Sequence, residues 1–202
     1  MPKSVPTRSN SVIDAPVLRR EAIHHVARKL FCKKGFSETS MQDIADELGL
    51  QRGSLYHHIE SKDQLLIEIL GSSLDEMLAG VERIAATPEG PQEKLRLYLM
   101  VSLETMARRQ EEMLIWIAER RRMPDVLTNL AAKVRKADGY LLKIIEEGIA
   151  AGAWNPRDKQ LAFQTLRGII AWFPQWYRQG GWLSISEIGN EMNRWANLLL
   201  RE

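Results

Sequence analysis

The sequence predicts an all-α protein of about nine helices, a small N-terminal three-helix unit followed by a larger helical one. Three observations predict it. Apolar residues recur every three or four positions along most of the chain, the period of a helix with one buried face. Helix punctuation is regular: Ser40, Ser61 and Ser184 stand three residues before Asp43, Gln64 and Glu187, the spacing of a capping box. Gly35, Gly49, Gly152 and Gly180-Gly181 fall where the apolar stripes end. No segment alternates apolar and polar residues for long, and β-branched content is low, so no strand is expected.

The first helix runs from Val17 to Lys34, with Ile23, Val26, Ala27, Leu30 and Phe31 on one face. Gly35 stops it, and Phe36 plugs the core of the small unit. Ser40 caps a second, short helix whose stripe is Ile44, Ala45 and Leu48. Gly49 can adopt the left-handed conformation that closes a helix cheaply. A third helix, Arg52 to His58, follows with Leu55 turned inward. Ser61 caps a long helix striped by Leu65, Leu66, Ile69, Ser73, Met77, Val81 and Ile84.

Thr87-Pro-Glu-Gly-Pro91 is a break. Helical pattern resumes over Gln92 to Arg108 and, after a kink, over Glu111 to Arg121. Pro124 suits the first position of the next helix, striped by Leu127, Leu130, Ala131, Val134, Leu141, Ile145 and Ile149 and closed by Gly152. Trp154-Asn-Pro156 turns the chain into a helix from Lys159 to Tyr177, which Pro174 should kink. The last helix carries Ile185, Ile188, Met192, Trp195, Ala196 and Leu199 on one stripe. These elements divide the chain into a flexible basic tail (1–16), a helix-turn-helix unit (17–61) and a larger helical domain (62–202).

Composition narrows the function classes. With 45 % hydrophobic and 27 % charged residues, the 202-residue chain matches soluble globular proteins and can bury a large core. No apolar run approaches the roughly 20 residues of a membrane helix. The opening MPKSVPTRSNSV lacks the apolar centre of a secretion signal. The single cysteine, Cys32, excludes an internal disulfide and fits a reducing, cytoplasmic setting. Its apolar neighbours assign it a packing role.

The net charge of +2 hides an asymmetry. Residues 1–62 hold ten Lys and Arg against seven Asp and Glu, and all four histidines. The excess coincides with two short helices joined by a tight turn, an arrangement that places the start of its second helix against base edges in the major groove. Gln51 and Arg52 stand at that start, where Arg favours guanine and Gln adenine. Gly53 and Ser54 allow close backbone approach. Thr39 and Ser40 lie at a helix N-terminus, a natural phosphate site.

Other chemistries find less support. His57 and His58 are adjacent and diverge by about 100° on a helix. Glu21 and His24 have the Glu-x-x-His spacing of di-iron bundles but lack a second copy. Neither a nucleophile elbow nor a glycine-rich phosphate loop is present, so neither catalysis nor a metal or cofactor is expected.

Residues 20–69 resemble the tetracycline-repressor (TetR) family of transcriptional regulators. The resemblance rests on Ala27, Leu30, Phe31, Gly35, Phe36, Thr39, Ser40, Ile44, Ala45, Leu48, Gly49, Leu50, Gly53, Leu55, Tyr56, His58, Lys62 and Leu65. Two positions depart from the pattern: Gln51 stands where the family commonly has Ser or Thr, and Ile59 where it has Phe.

The resemblance implies a helix-turn-helix that binds double-stranded operator DNA, with Tyr56, His57 and Lys62 at phosphate-contacting positions. It implies a homodimer through the last two helices, which hold more apolar residues than one helix needs. The candidates are Phe163, Leu166, Ile169, Ile170, Phe173 and Trp176 on one, and Ile188, Met192, Trp195 and Leu199 on the other. It also implies a small-molecule effector among the middle helices, where Met100, Met106, Met113, Trp116, Arg120, Tyr140 and Trp172 are candidate contacts.

The run Trp172 to Gly181 resembles that of family members controlling lipid or steroid breakdown. With Arg108, Arg109 and Arg120 to Arg122 it suits an acyl chain with an anionic head, such as an acyl-CoA thioester. The expected function is a ligand-responsive repressor. The alternatives are a ligand-independent or nucleoid-type DNA binder and, further off, a helical enzyme or carrier.

Overall fold

The computed structural model describes residues 15–201, and among them nine α-helices and no strand. They are α1 (Ala15–Lys34), α2 (Met41–Glu47), α3 (Arg52–Tyr56), α4 (Lys62–Ala85), α5 (Pro91–Arg108), α6 (Gln110–Glu119), α7 (Thr128–Ala150), α8 (Lys159–Trp176) and α9 (Ile185–Arg201). Apart from Ala15 and Pro16, which open α1, the tail expected over 1–16 lies outside the described residues.

The small unit is a wedge of apolar side chains between α1, α2, α3 and the start of α4. Ile23, Ala27, Phe31, Phe36, Ile44, Ala45, Leu55 and Ile59 are all buried there. Phe31 and Phe36 meet edge to face with ring centres 5.1 Å apart. The Ser40–Asp43 capping box forms in full. The one at Ser61 is half formed: Ser61 accepts the Gln64 N–H, while the Gln64 side chain takes the Glu60 N–H instead. Gly49, at φ 65°, makes the turn that sets α3 across α2.

In the larger domain α4 packs against α5 and α7, and α5 against α9. Several starts differ from the sequence expectation. α3 ends at Tyr56, with His57 as its C-cap. α6 begins at Gln110, because the break from α5 is the single residue Arg109 at φ −112°, ψ 34°. Pro124 opens a turn, and α7 starts four residues later at Thr128, whose hydroxyl donates to the Pro124 carbonyl. Asp158, absent from the expected caps, accepts the Gln160 and Leu161 N–H groups and starts α8. Pro174 lies near the end of α8, and the helix continues past it to Trp176. No helix among the described residues is long and apolar enough to cross a membrane.

The turn after α7 is held by Trp154, whose indole is 2 % exposed and donates to Asn197 of α9 at 3.0 Å. The indole lies flat on Gly148, and a Cβ built there meets ring atoms at 1.9–2.8 Å. A tethered ring cannot swing aside. Gly148→Ala should therefore destabilise the domain by about 2–3 kcal/mol through overpacking, read as a lowered urea midpoint with unchanged slope.

Candidate nucleic-acid interface and internal cavity

Gln51, Arg52, Gly53, Ser54, Tyr56 and His57 are all exposed on one side of the small unit. Leu55 anchors α3 from beneath, fully buried. Gln51 occupies the N-cap, is exposed and makes no side-chain capping bond. Arg52 donates to the Tyr56 hydroxyl at 3.3 Å and lies 5.6 Å from the ring centre, an i, i+4 pair along one face.

Three other candidates have their polar groups bonded within the chain. Thr39 is 1 % exposed and its hydroxyl donates to the Gly35 carbonyl at 2.8 Å. Ser40 is exposed, but its hydroxyl is committed to Asp43, which Lys34 and Ser40 together hold well below the usual carboxylate range. Lys62 donates to the carbonyls of Phe36 and Thr39 at 2.8 Å and of Ser37 at 3.4 Å, and its ammonium lies 4.4 Å from the Phe36 ring centre. A charge satisfied by three carbonyls and a ring face is a staple rather than a free phosphate ligand. Sequence spacing alone could not show this, because the acceptors lie more than twenty residues away.

A cavity of about 310 Å³ opens in the larger domain between α4, α5, α6, α7 and α8. Met106, Met113, Trp116, Arg120 and Trp172 line it, as the sequence suggested. Two expected residues do not. Met100 packs its sulfur against Gly189 of α9, and the Tyr140 hydroxyl donates to Glu82 of α4.

The cavity holds a polar set that sequence reasoning missed. Arg167 of α8 pairs with Asp138 of α7 at 2.7 Å, and Tyr98 and Ser102 lie nearby. Burial and the Asp138 charge push the Tyr98 hydroxyl well above the usual phenol range, so it stays a donor, to the Ala137 carbonyl. Arg167 follows the buried Leu166 in an apolar helix, and nothing in its spacing pointed at Asp138. Of the suggested basic residues, Arg108 and Arg109 are taken by Glu76, away from the cavity. Arg120 is exposed at its rim, beside the exposed Arg121 and Arg122.

The residues expected at a dimer interface divide in two. Phe163, Leu166, Phe173, Ile188 and Met192 are buried within their own chain, and Ile170 is buried between the cavity and the α8–α9 groove. Ile169, Trp176 and Trp195 are exposed, and Leu199 is half-buried in that groove. Amphipathic spacing cannot tell a face turned to the core from a second face left outside. Leu161 and Leu198, exposed on the same helices, were missed for that reason.

The two units meet through ion pairs and hydrogen bonds. Arg20 and His24 of α1 bond to Glu68 of α4. Burial raises that carboxyl, and these two partners more than offset it, leaving it below the usual range. Arg28 of α1 reaches Glu111 at 2.8 Å and Glu112 at 3.1 Å, both in the first turn of α6. Beside them, the Gln110 amide donates to the Pro174 and Tyr177 carbonyls, both at 2.8 Å, closing the end of α8. Cys32 is exposed on α1 rather than packed. Partial burial of its sulfur and the nearby Glu111 and Glu112 hold its thiol above the usual range. No cluster of three or more metal-ligating side chains occurs among the described residues.

Comparison with known proteins gives a consistent result. The family model described as bacterial regulatory proteins, tetR family, matches residues 23–69, and that of the tetracyclin repressor-like C-terminal domain matches residues 88–200. The chain is 31 % identical to the HTH-type transcriptional repressor KstR2 of Mycolicibacterium smegmatis, over 87 % of each chain. It is similar to the structure of the ketosteroid transcriptional regulator KstR2 of Mycobacterium tuberculosis, with a TM-score of 0.84 and 26 % identity over 91 % of this chain and 95 % of that one. It also resembles AibR, solved with isovaleryl coenzyme A and operator DNA, with a TM-score of 0.77 and 25 % identity over 91 % of this chain and 98 % of AibR. With both units matched and the helix-turn-helix exposed at one end, the chain belongs to the tetR family of bacterial transcriptional regulators.

Proposed function

We propose that this protein is a ligand-responsive repressor that binds a near-palindromic operator as a homodimer and releases it when an acyl-CoA or similar lipid-like effector enters the cavity. The observation that carries the reading is one chain combining an exposed Gln51–Arg52 helix start with a largely apolar internal cavity rimmed by Arg120. The first serves base readout. The second suits an apolar chain with an anionic end, since the exposed Arg120 is part of its lining.

α6 connects the two. Met113, Trp116 and Arg120 face the cavity, while its first turn holds α1 through Arg28 and α8 through Gln110. An effector that shifts α6 or α8 would thereby move the small unit. KstR2 is named a repressor, and AibR was solved with a coenzyme A thioester and DNA, which supports the class of effector and the sign of control.

Two measurements test the reading. Arg52→Ala should weaken binding to the operator by about 1–3 kcal/mol while leaving non-specific binding nearly unchanged. Equal losses on both would remove Arg52 from base readout. In fluorescence anisotropy, a series of acyl-CoA thioesters should displace labelled operator, with Arg120→Ala raising the concentration needed about tenfold, the worth of one charge-assisted bond. Displacement by none of them would reject the acyl-CoA class.

A further inference from the structure

The turn that ends α3 is clasped from one carboxylate of α4. Glu68 accepts two bonds from Arg20, one from His24 at 2.9 Å and one from Gln64 at 3.0 Å, which fills its acceptor sites. Two of these partners reach on to the backbone between α3 and α4. Arg20 Nη1 donates to the His58 carbonyl at 3.4 Å, and Gln64 Oε1 accepts the Glu60 N–H at 2.8 Å. A closed ring of bonds therefore runs from Glu68 through Arg20 to His58, across Ile59 to Glu60, and back through Gln64. Stability does not account for it: the Arg20 side chain is 46 % exposed and that of Glu68 23 %, and pairs so exposed contribute little.

We propose that Glu68 is a positioning residue for base readout, acting through Arg20 and Gln64 to set the roll of α3. This rests on the operator-reading role of α3 given above and names what aims that helix. α3 is five residues long, with Leu55 as its one buried side chain, and Ile59 is buried four residues on. Two apolar anchors in line define an axis. Hydrophobic contact has no direction, so it leaves the helix free to roll about that axis. Roll decides which base edges the exposed Gln51 and Arg52 meet. The start of α3 offers no hold, because Gln51 makes no side-chain capping bond. The directional bonds at His58 and Glu60 flank Ile59 and supply the missing constraint.

The test compares two duplexes of equal length, one selected from a random pool by the parent protein and one unrelated to it. Glu68→Gln keeps the size of the side chain and removes its charge. It should cut the preference for the selected duplex about tenfold, the worth of one misplaced base contact. Affinity for the unrelated duplex, carried by phosphate contacts, should hold. The melting temperature should fall by no more than about 4 °C. Unchanged preference overturns the proposal, and so do equal losses on both duplexes, the mark of a destabilised domain. Gln64→Met opens the other half of the ring and should cost a similar preference. Combined with Glu68→Gln it should add little, because residues of one network are not additive; losses that add in full overturn the shared hub.

Should Glu68→Gln fail to fold by circular dichroism, Arg20→Lys carries the test. It keeps the charge at that position, so a phosphate contact there would survive, and loses the planar fork that spans Glu68 and His58. The same loss of preference supports the ring, and an unchanged preference overturns it. A parent protein that prefers no duplex overturns both this proposal and the operator reading beneath it.

Discussion

Lys62→Ala should lower stability by about 3 kcal/mol, the loss of a charged donor shared by several carbonyls, and so lower the melting temperature by roughly 6–12 °C for a chain of this size. The lysine starts α4 and reaches back to the loop between α1 and α2, where its three protons meet the carbonyls of Phe36, Ser37 and Thr39. Those carbonyls follow Gly35 and precede the Ser40 cap, so the staple fixes how α2 and α3 sit on α4. Without it the three oxygens keep only water, and the Phe36 ring loses its cation.

Operator affinity should fall at least tenfold on every sequence, because the whole helix-turn-helix loses its seat. The salt dependence of binding separates this from a phosphate contact. Removing a phosphate ligand lowers the slope of affinity against salt by about one. Removing an internal staple leaves the slope unchanged and moves the melting temperature. A lowered slope with an unshifted melt would return Lys62 to the phosphate backbone. Lys62→Met tests the same point while keeping the aliphatic stem.

The contrast at Lys62 shows where sequence reading ends. Local signals were legible: the Ser40–Asp43 box, the left-handed Gly49 turn and the buried stripes of α2 and α4 follow from spacings of three and four. So was the exposed start of α3, because Leu55 is its one buried side chain. What needed three dimensions was the partner of each polar group. Lys62, Thr39 and Arg167 carry the right chemistry for a ligand, and acceptors inside the fold claim all three, those of Lys62 and Arg167 from more than twenty residues away. Tyr140 and Met100 sit on the right helices but face α4 and α9. Arg28 carried no signal of its role, since its carboxylate partners lie more than eighty residues away.

Arg28→Ala should produce the second large effect, and on two readouts. Glu112 is 3 % exposed, and its carboxylate is held by Arg28 at 3.1 Å and Arg109 at 3.6 Å. Arg109 is shared with Glu76 of α4, so removing Arg28 leaves a buried charge short of its nearer partner. Breaking such a pair costs about 3–5 kcal/mol when fully buried. Arg28 is itself partly exposed, which puts the expected loss near the lower figure.

The second readout is coupling. α6 faces the cavity with Met113 and Trp116 and is bonded to α1 at its first turn, where Arg28 reaches both Glu111 and Glu112. Allosteric coupling between two sites is commonly about 1–3 kcal/mol. Losing this grip should cut the effector-induced drop in operator affinity at least fivefold while effector affinity itself holds.

The double variant Arg28→Leu/Glu112→Leu distinguishes the two effects. Replacing a buried pair by apolar side chains is often neutral for stability, so its melt should recover while its response stays weak. A double variant that regained both would show that the pair only supports the fold. In that case the signal would pass to the small unit through α4, where Arg20 and His24 hold Glu68.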